Sequence, residues 1–101
     1  MRGRTKKLKL VFCTDPGHGW LRVPKDKMKL LPRSELEKIS SHSYRTHTGS
    51  NFYLEEDQDA GVFLSWAKSA GYEVELLHAD KGTRGSHIRE LPRFSKEFIT
   101  G

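Results

Sequence analysis

The sequence has a single cysteine, Cys13, so no disulfide can form within the chain. A reducing compartment, the cytosol, is the expectation that follows. Long apolar runs are also missing: nothing approaches the ~20 residues that cross a bilayer. Leu8 to Cys13 is the nearest approach, and Lys9 interrupts it. That run is too short for the apolar region of a signal peptide, so a cytoplasmic protein without membrane contact is expected. The five histidines form no HxxxH pair and Cys13 has no CxxC partner, which removes the usual frameworks of a structural zinc site. Gly17 and Gly19 lack the strand-to-helix setting of a nucleotide-binding loop.

The 101 residues suit one domain with a single core. The formal charge of +5 is unevenly placed. Arg2, Arg4, Lys6, Lys7 and Lys9 supply all of it, and from residue 10 onward 13 bases balance 13 acids. Bases dominate residues 22–45 and 81–97, acids residues 55–80. Such a layout serves an acidic or phosphate-bearing partner, or pairs its signs within the fold.

The strongest local signals lie between Tyr53 and Leu77. Ala60, Phe63, Leu64, Ala67 and Ala70 recur at the three- and four-residue intervals of one helix face. Glu55, Glu56, Asp57 and Asp59 fall at the start of that helix, where negative charge suits the exposed N–H groups and the dipole. Gly71 is placed to end it, and Tyr72, Val74 and Leu76 then alternate as a strand. Trp66, off the centre of the stripe, rims the core or marks a contact surface.

Upstream, residues 1–7 read as a flexible basic arm. Leu8, Leu10 and Phe12 alternate as a first strand, and TDPGHG is a dense turn signal before Trp20–Val23 resumes an extended pattern. A hairpin with a wide glycine-rich tip is expected. Ser34 with Glu35 and Glu37 predicts a short Ser-capped helix. Residues 43–45 and 51–54 predict a second hairpin around Thr48-Gly49-Ser50. Ile88, Leu91 and Phe94 are spaced to pack as one short face, interrupted by Pro92.

The assembled expectation is an α+β domain over residues 8–101. A small, mainly antiparallel sheet of two hairpins plus one strand packs against a main helix at about 57–70 and a short helix at about 34–39. One alternative sets the first and last strands side by side in parallel.

A strand running into Asp15-Pro16-Gly17-His18-Gly19, with Glu55-Glu56-Asp57 opening a helix that ends in Ala-Gly before a strand, resembles the start of the zinc-dependent N-acetylmuramoyl-L-alanine amidases. The resemblance implies zinc as cofactor, with His18 and Glu55 as ligands and Glu56 as a substitute for Glu55. In that family the metal polarises the scissile amide and activates water. Trp20 departs from the small residues usual there. The family's third ligand, a His on a later strand, and its distant catalytic Glu have no counterpart in a matching motif; His78 and His87 are the only later histidines. DPGHGWLRVP, KISSHSYR, YLEEDQDAG and the late Ser-x-Ile-Arg also resemble short uncharacterised proteins of phages, plasmids and bacterial genomes, which implies such an origin and an accessory or host-interaction role.

The function expected is non-enzymatic binding by contact with a protein partner, with no catalytic residues and no obligatory cofactor. The residues singled out as its face are Asp15, His18, Trp20 and Arg22 together with Glu55, Glu56 and Asp57. The alternative is nucleic-acid binding. There Trp20, Tyr44, Phe52 and Tyr53 stack bases on an open sheet face, while Arg2, Arg4, Lys6, Lys7, Arg22, Lys25, Lys27 and Arg45 meet phosphates.

Overall fold

The computed structural model describes residues 6–15, 17–80 and 87–95, without the side chains of Asp15, Asp80, His87 and Arg89. Most of the expected basic arm, with Arg2 and Arg4, and the turn after Asp80 lie outside the described residues. Strand β1 spans Lys6–Asp15, β2 His18–Pro24, β3 Tyr44–Arg45, β4 Asn51–Glu55 and β5 Tyr72–Asp80. Two one-turn helices, α1 (Lys25–Met28) and α2 (Arg33–Leu36), precede β3, and the long helix α3 (Asp59–Ser69) lies between β4 and β5. The sheet order is β3-β4-β2-β1-β5. All neighbours are antiparallel except β1 and β5, which run parallel with Leu8 beside Val74 and Leu10 beside Leu76. The chain is thus the mostly antiparallel α+β fold expected, in the version that pairs the first and last strands. A parallel pair needs a crossover connection, and α3 lies on it.

Several boundaries differ from the sequence reading for local reasons. β1 begins at Lys6, so Lys6 and Lys7 extend the strand, opposite Tyr72 and Glu73. The first hairpin is tight. Asp15 pairs with His18, and Gly17 before it has φ +108°. His18 and Gly19 therefore belong to β2 and not to a wide loop. Helix α2 starts after Pro32, its N-cap, with no side-chain cap hydrogen bond. Proline's fixed φ begins the turn, and Ser34 lies inside it. α3 starts at Asp59 because Glu55 and the turn after it precede the helix, and Ala70 is its exposed C-cap. Gly71 follows at φ +90°, the left-handed conformation that closes a helix without a Cβ penalty.

Different material lies on the two sheet faces, and the second is covered only in part, since Lys9, Glu75 and Leu77 on it are exposed. Ala60, Phe63 and Ala67 of α3, Met28 of α1 and Leu36 of α2 join Leu8, Leu10, Leu21, Val23, Phe52 and Leu54 in the main core. Each large apolar side chain buried there contributes about 1.5–3 kcal/mol relative to exposure. Trp66 rims this core, its ring 5.7 Å from Phe63 and 5.6 Å from Tyr72. On the other face a smaller cluster holds Cys13, Trp20, Tyr53 and Ile88, flanked by Val11, Tyr44, Ala79 and Leu91. Ile88 and Leu91 come from the C-terminal segment, whose 3₁₀ turn spans His87–Glu90. That segment does not present one apolar face. Phe94 enters the main core, its ring edge against Phe52 at 5.8 Å. Between them, Pro92 accepts a hydrogen bond from Arg45 N–H and Phe94 N–H donates to Ser43 O, which covers the outer edge of β3.

Candidate functional site

The register places His18, Trp20, Glu55, Tyr53 and Tyr44 on one side of the sheet. His18 and Trp20 are two apart on β2, Trp20 pairs with Glu55, and Tyr53 pairs with Tyr44. At the hairpin-tip end of this side is an open pocket of about 500 Å³, lined by His18, Trp20, His42, Tyr44, Glu55, Asp57, Gln58 and Arg93. The two segments singled out from the sequence therefore meet in space: His18 and Trp20 on one wall, Glu55 and Asp57 on another.

The walls are held by different forces. Trp20 is buried and forms a platform on which the exposed His18 ring stacks, centroids 5.8 Å apart and planes 18° from parallel. Opposite it, the Arg93 guanidinium lies 5.0 Å over the Tyr44 ring, a cation–π contact. Arg93 Nη1–H also donates to Ser41 O at 3.0 Å. Glu55 turns its carboxylate back on its own backbone. Its oxygens accept from Asp57 N–H at 2.9 Å and Gln58 N–H at 3.1 Å, two donors that the start of α3 would otherwise leave unpaired. Glu55 is thus a helix-start anion, and Asp57 next to it is exposed.

Beneath the wall formed by residues 40–43 lies a polar network that sequence reasoning missed. Asp59 is fully buried, and its Oδ2 accepts from Ser40 N–H at 3.0 Å, Ser40 Oγ–H at 2.7 Å and Ser43 Oγ–H at 2.6 Å. Ser43 Oγ accepts in turn from Glu55 N–H at 2.9 Å. Asp59 Oδ1 is buried without a hydrogen-bond partner among the described residues. Its position made it look like another helix-start charge at the surface. Its spacing of four from Phe63 and eight from Ala67 puts it on the buried stripe, and that is the signal by which it was legible. His42, Gln58 and Arg93 carried no comparable signal, Tyr44 stood out only as a candidate for base stacking, and Arg93 reaches the pocket only through the fold.

Not every expected residue converges. Arg22 sits on β2 across from Val11 and Tyr53, away from the pocket lining. Glu56 is exposed and contributes its N–H to Gly19 O at 3.1 Å. The Asp15 side chain lies outside the described residues. The aromatic set proposed for base stacking does not form an open face. Trp20, Phe52 and Tyr53 are buried, Phe52 on the opposite side of the sheet from the other two, and Tyr44 is half-buried. Lys25 and Lys27 lie on α1, Lys27 within 3.6 Å of Asp26, and Arg45 donates to Thr46 O.

His18 and Glu55, the pair implied by the amidase resemblance, do line the same pocket. Among the described residues no group of three or more His, Cys, Asp or Glu is placed to hold a metal. A catalytic zinc normally takes three protein ligands, and two donors, one of them capping a helix, do not supply that set. Among the described residues, no helix is long and apolar enough to cross a membrane. Comparison with protein-family models, curated proteins and solved structures finds no match to the chain.

Proposed function

We propose that this is a non-enzymatic binding protein that acts by protein–protein contact, taking an exposed segment of its partner into the pocket between the β1–β2 hairpin, residues 40–44 and the start of α3. One observation carries the reading: His18 and Trp20 share an open pocket with Glu55 and Asp57, distant in sequence, and with Tyr44 and Arg93. Its mixture of aromatic surface and both signs of charge resembles the composition of surfaces that bind peptides, where aromatic and Arg anchors carry most of the energy. A cytosolic setting, in keeping with the buried thiol of Cys13, and a phage, plasmid or bacterial origin are part of this proposal.

Selection from a displayed library of random peptides tests the proposal. The expected result is a family of peptides that bind the intact protein and lose at least tenfold in affinity with His18→Ala or Asp57→Ala. Both substitutions are at exposed positions, so folding is retained. Enrichment of no peptide, or of peptides indifferent to both substitutions, refutes it.

A further inference from the structure

His42 is exposed and lines the pocket, and its ring has one hydrogen-bond contact among the described residues: Nδ1 lies 3.3 Å from Ser40 Oγ. The direction of that bond follows from the protons available. A serine hydroxyl has one proton and two lone pairs. Ser40 Oγ is 2.7 Å from the buried Asp59 Oδ2, an acceptor that also takes Ser40 N–H and Ser43 Oγ–H. Ser43 Oγ accepts Glu55 N–H on one lone pair and, 2.6 Å from Asp59 Oδ2, gives its proton to that carboxylate. The Ser40 proton therefore goes to Asp59. What Ser40 offers His42 is lone pairs, one of which accepts His42 N–H at 3.1 Å. The remaining contact is satisfied only if the imidazole carries a proton on Nδ1. In the neutral ring that leaves Nε2, at the other edge, as an acceptor.

We propose that Ser40, anchored on the buried carboxylate of Asp59, is a positioning residue that fixes His42 with its proton on Nδ1, so that Nε2 offers the pocket an acceptor for an amine-bearing group of the partner. This deepens the binding role proposed above and rests on it. The amine is favoured over other donors by what surrounds it. The Asp57 carboxylate on the same pocket has no partner among the described residues, Glu55 lines that pocket too, and Trp20 supplies an aromatic wall. The pocket's guanidinium, on Arg93, is already held between Tyr44 and Ser41 O. A lysine ammonium is a donor to a neutral imidazole nitrogen and a charge partner for a carboxylate, and both groups line this pocket.

Two measurements separate the parts of this inference. Long-range ¹⁵N–¹H NMR correlation on the full chain, at a pH where imidazole is neutral, reads the tautomer of His42 directly. A dominant Nδ1–H pattern is expected in the wild type, shifting to the Nε2–H form ordinary for a free imidazole in Ser40→Ala, and retained in Ser40→Thr. An Nε2–H pattern in the wild type overturns the relay without recourse to any variant, as does a Ser40→Ala spectrum identical to wild type. Titration with lysine blocked at its α-amine and carboxyl, against the same probe acetylated on Nζ, tests the ligand class. Saturable shifts at His42 and Asp57 with the free amine, at least tenfold weaker after acetylation, support it. Equal responses, or none, overturn the amine class. Library peptides that still require His18 and Asp57 would in that case leave the pocket reading standing.

Discussion

Replacing Asp59 by alanine removes the acceptor on which the wall of the pocket converges. Three hydrogen bonds end on Oδ2, from Ser40 N–H, Ser40 Oγ–H and Ser43 Oγ–H. Ser43 is fully buried, so its hydroxyl cannot turn to water, and a buried donor left without a partner costs about 1–3 kcal/mol. Ser40 is half-buried, and its two bonds, partly replaced by water, add about 0.5–1.5 kcal/mol each. Against this, alanine also removes Oδ1, which has no partner among the described residues, and so recovers part of its desolvation cost. The expected net loss is about 2–4 kcal/mol, a large share of the stability of a domain this size. Asp59→Asn retains an acceptor in the same place and is expected to lose less than half as much. Urea unfolding followed by circular dichroism measures both, and a double-mutant cycle with Ser43→Ala isolates the shared bond, for which coupling of at least about 1 kcal/mol is expected. A loss below about 1 kcal/mol for Asp59→Ala, or coupling within the ~0.5 kcal/mol typical of independent sites, would refute the network as drawn.

Three further outcomes follow from the geometry. A Cβ on Gly19 would lie 2.6 and 2.7 Å from ring atoms of Phe12, so Gly19→Ala is expected to cost about 1–3 kcal/mol through overcrowding. In a Phe12→Leu background the same substitution should cost markedly less in thermal or urea unfolding, which distinguishes crowding from a backbone effect. Glu55→Ala removes the carboxylate that accepts Asp57 and Gln58 N–H, with an expected loss of about 0.5–2 kcal/mol, the range for a helix-start cap; Glu55→Gln should recover part of it. Ile88→Ala opens the cluster that covers Cys13, Trp20 and Tyr53, costing about 2–5 kcal/mol. In a Trp66→Phe background its Trp20 fluorescence should move to longer wavelength, and an unchanged spectrum would mean that the C-terminal segment does not shield that ring.

The elements that depend on short-range pattern were legible in the chain. The stripe at Ala60, Phe63 and Ala67, the stop at Gly71 and the alternation after it specify α3 and β5 by periodicity alone, because burial of one face is what gives each element its stability. Positions set by pairing were not. Whether β1 meets β5 depends on how α3 crosses the sheet, and both arrangements satisfy the same alternation. The tightness of the first hairpin was hidden for a related reason: DPGHG contains more turn-forming residues than the turn uses, and only the pairing of Asp15 with His18 shows where the ladder ends. At the pocket, residue chemistry pointed to His18, Trp20, Glu55 and Asp57. Tyr44 and Arg93 depend on the C-terminal segment crossing β3, a contact between residues some fifty apart in the chain that leaves no local trace.

The polar network also changes what the 40–44 segment is. Read locally, KISSHSYR is a polar loop, and a loop that must order on binding forfeits about 0.5–1.5 kcal/mol for each side chain it immobilises. Here Ser40 and Ser43 are tied to Asp59, Ser41 O to Arg93 and Ser43 O to Phe94 N–H. The wall is therefore held by the start of α3 on one side and by the C-terminal segment on the other before any ligand arrives. Its ordering cost belongs to folding and not to binding. A segment built this way trades stability for shape, since the same Asp59 that organises it leaves one oxygen without a partner among the described residues. It follows that substitutions in the network should weaken the fold and the pocket together, whereas His18 and Asp57, exposed on the walls, should affect binding with the fold intact.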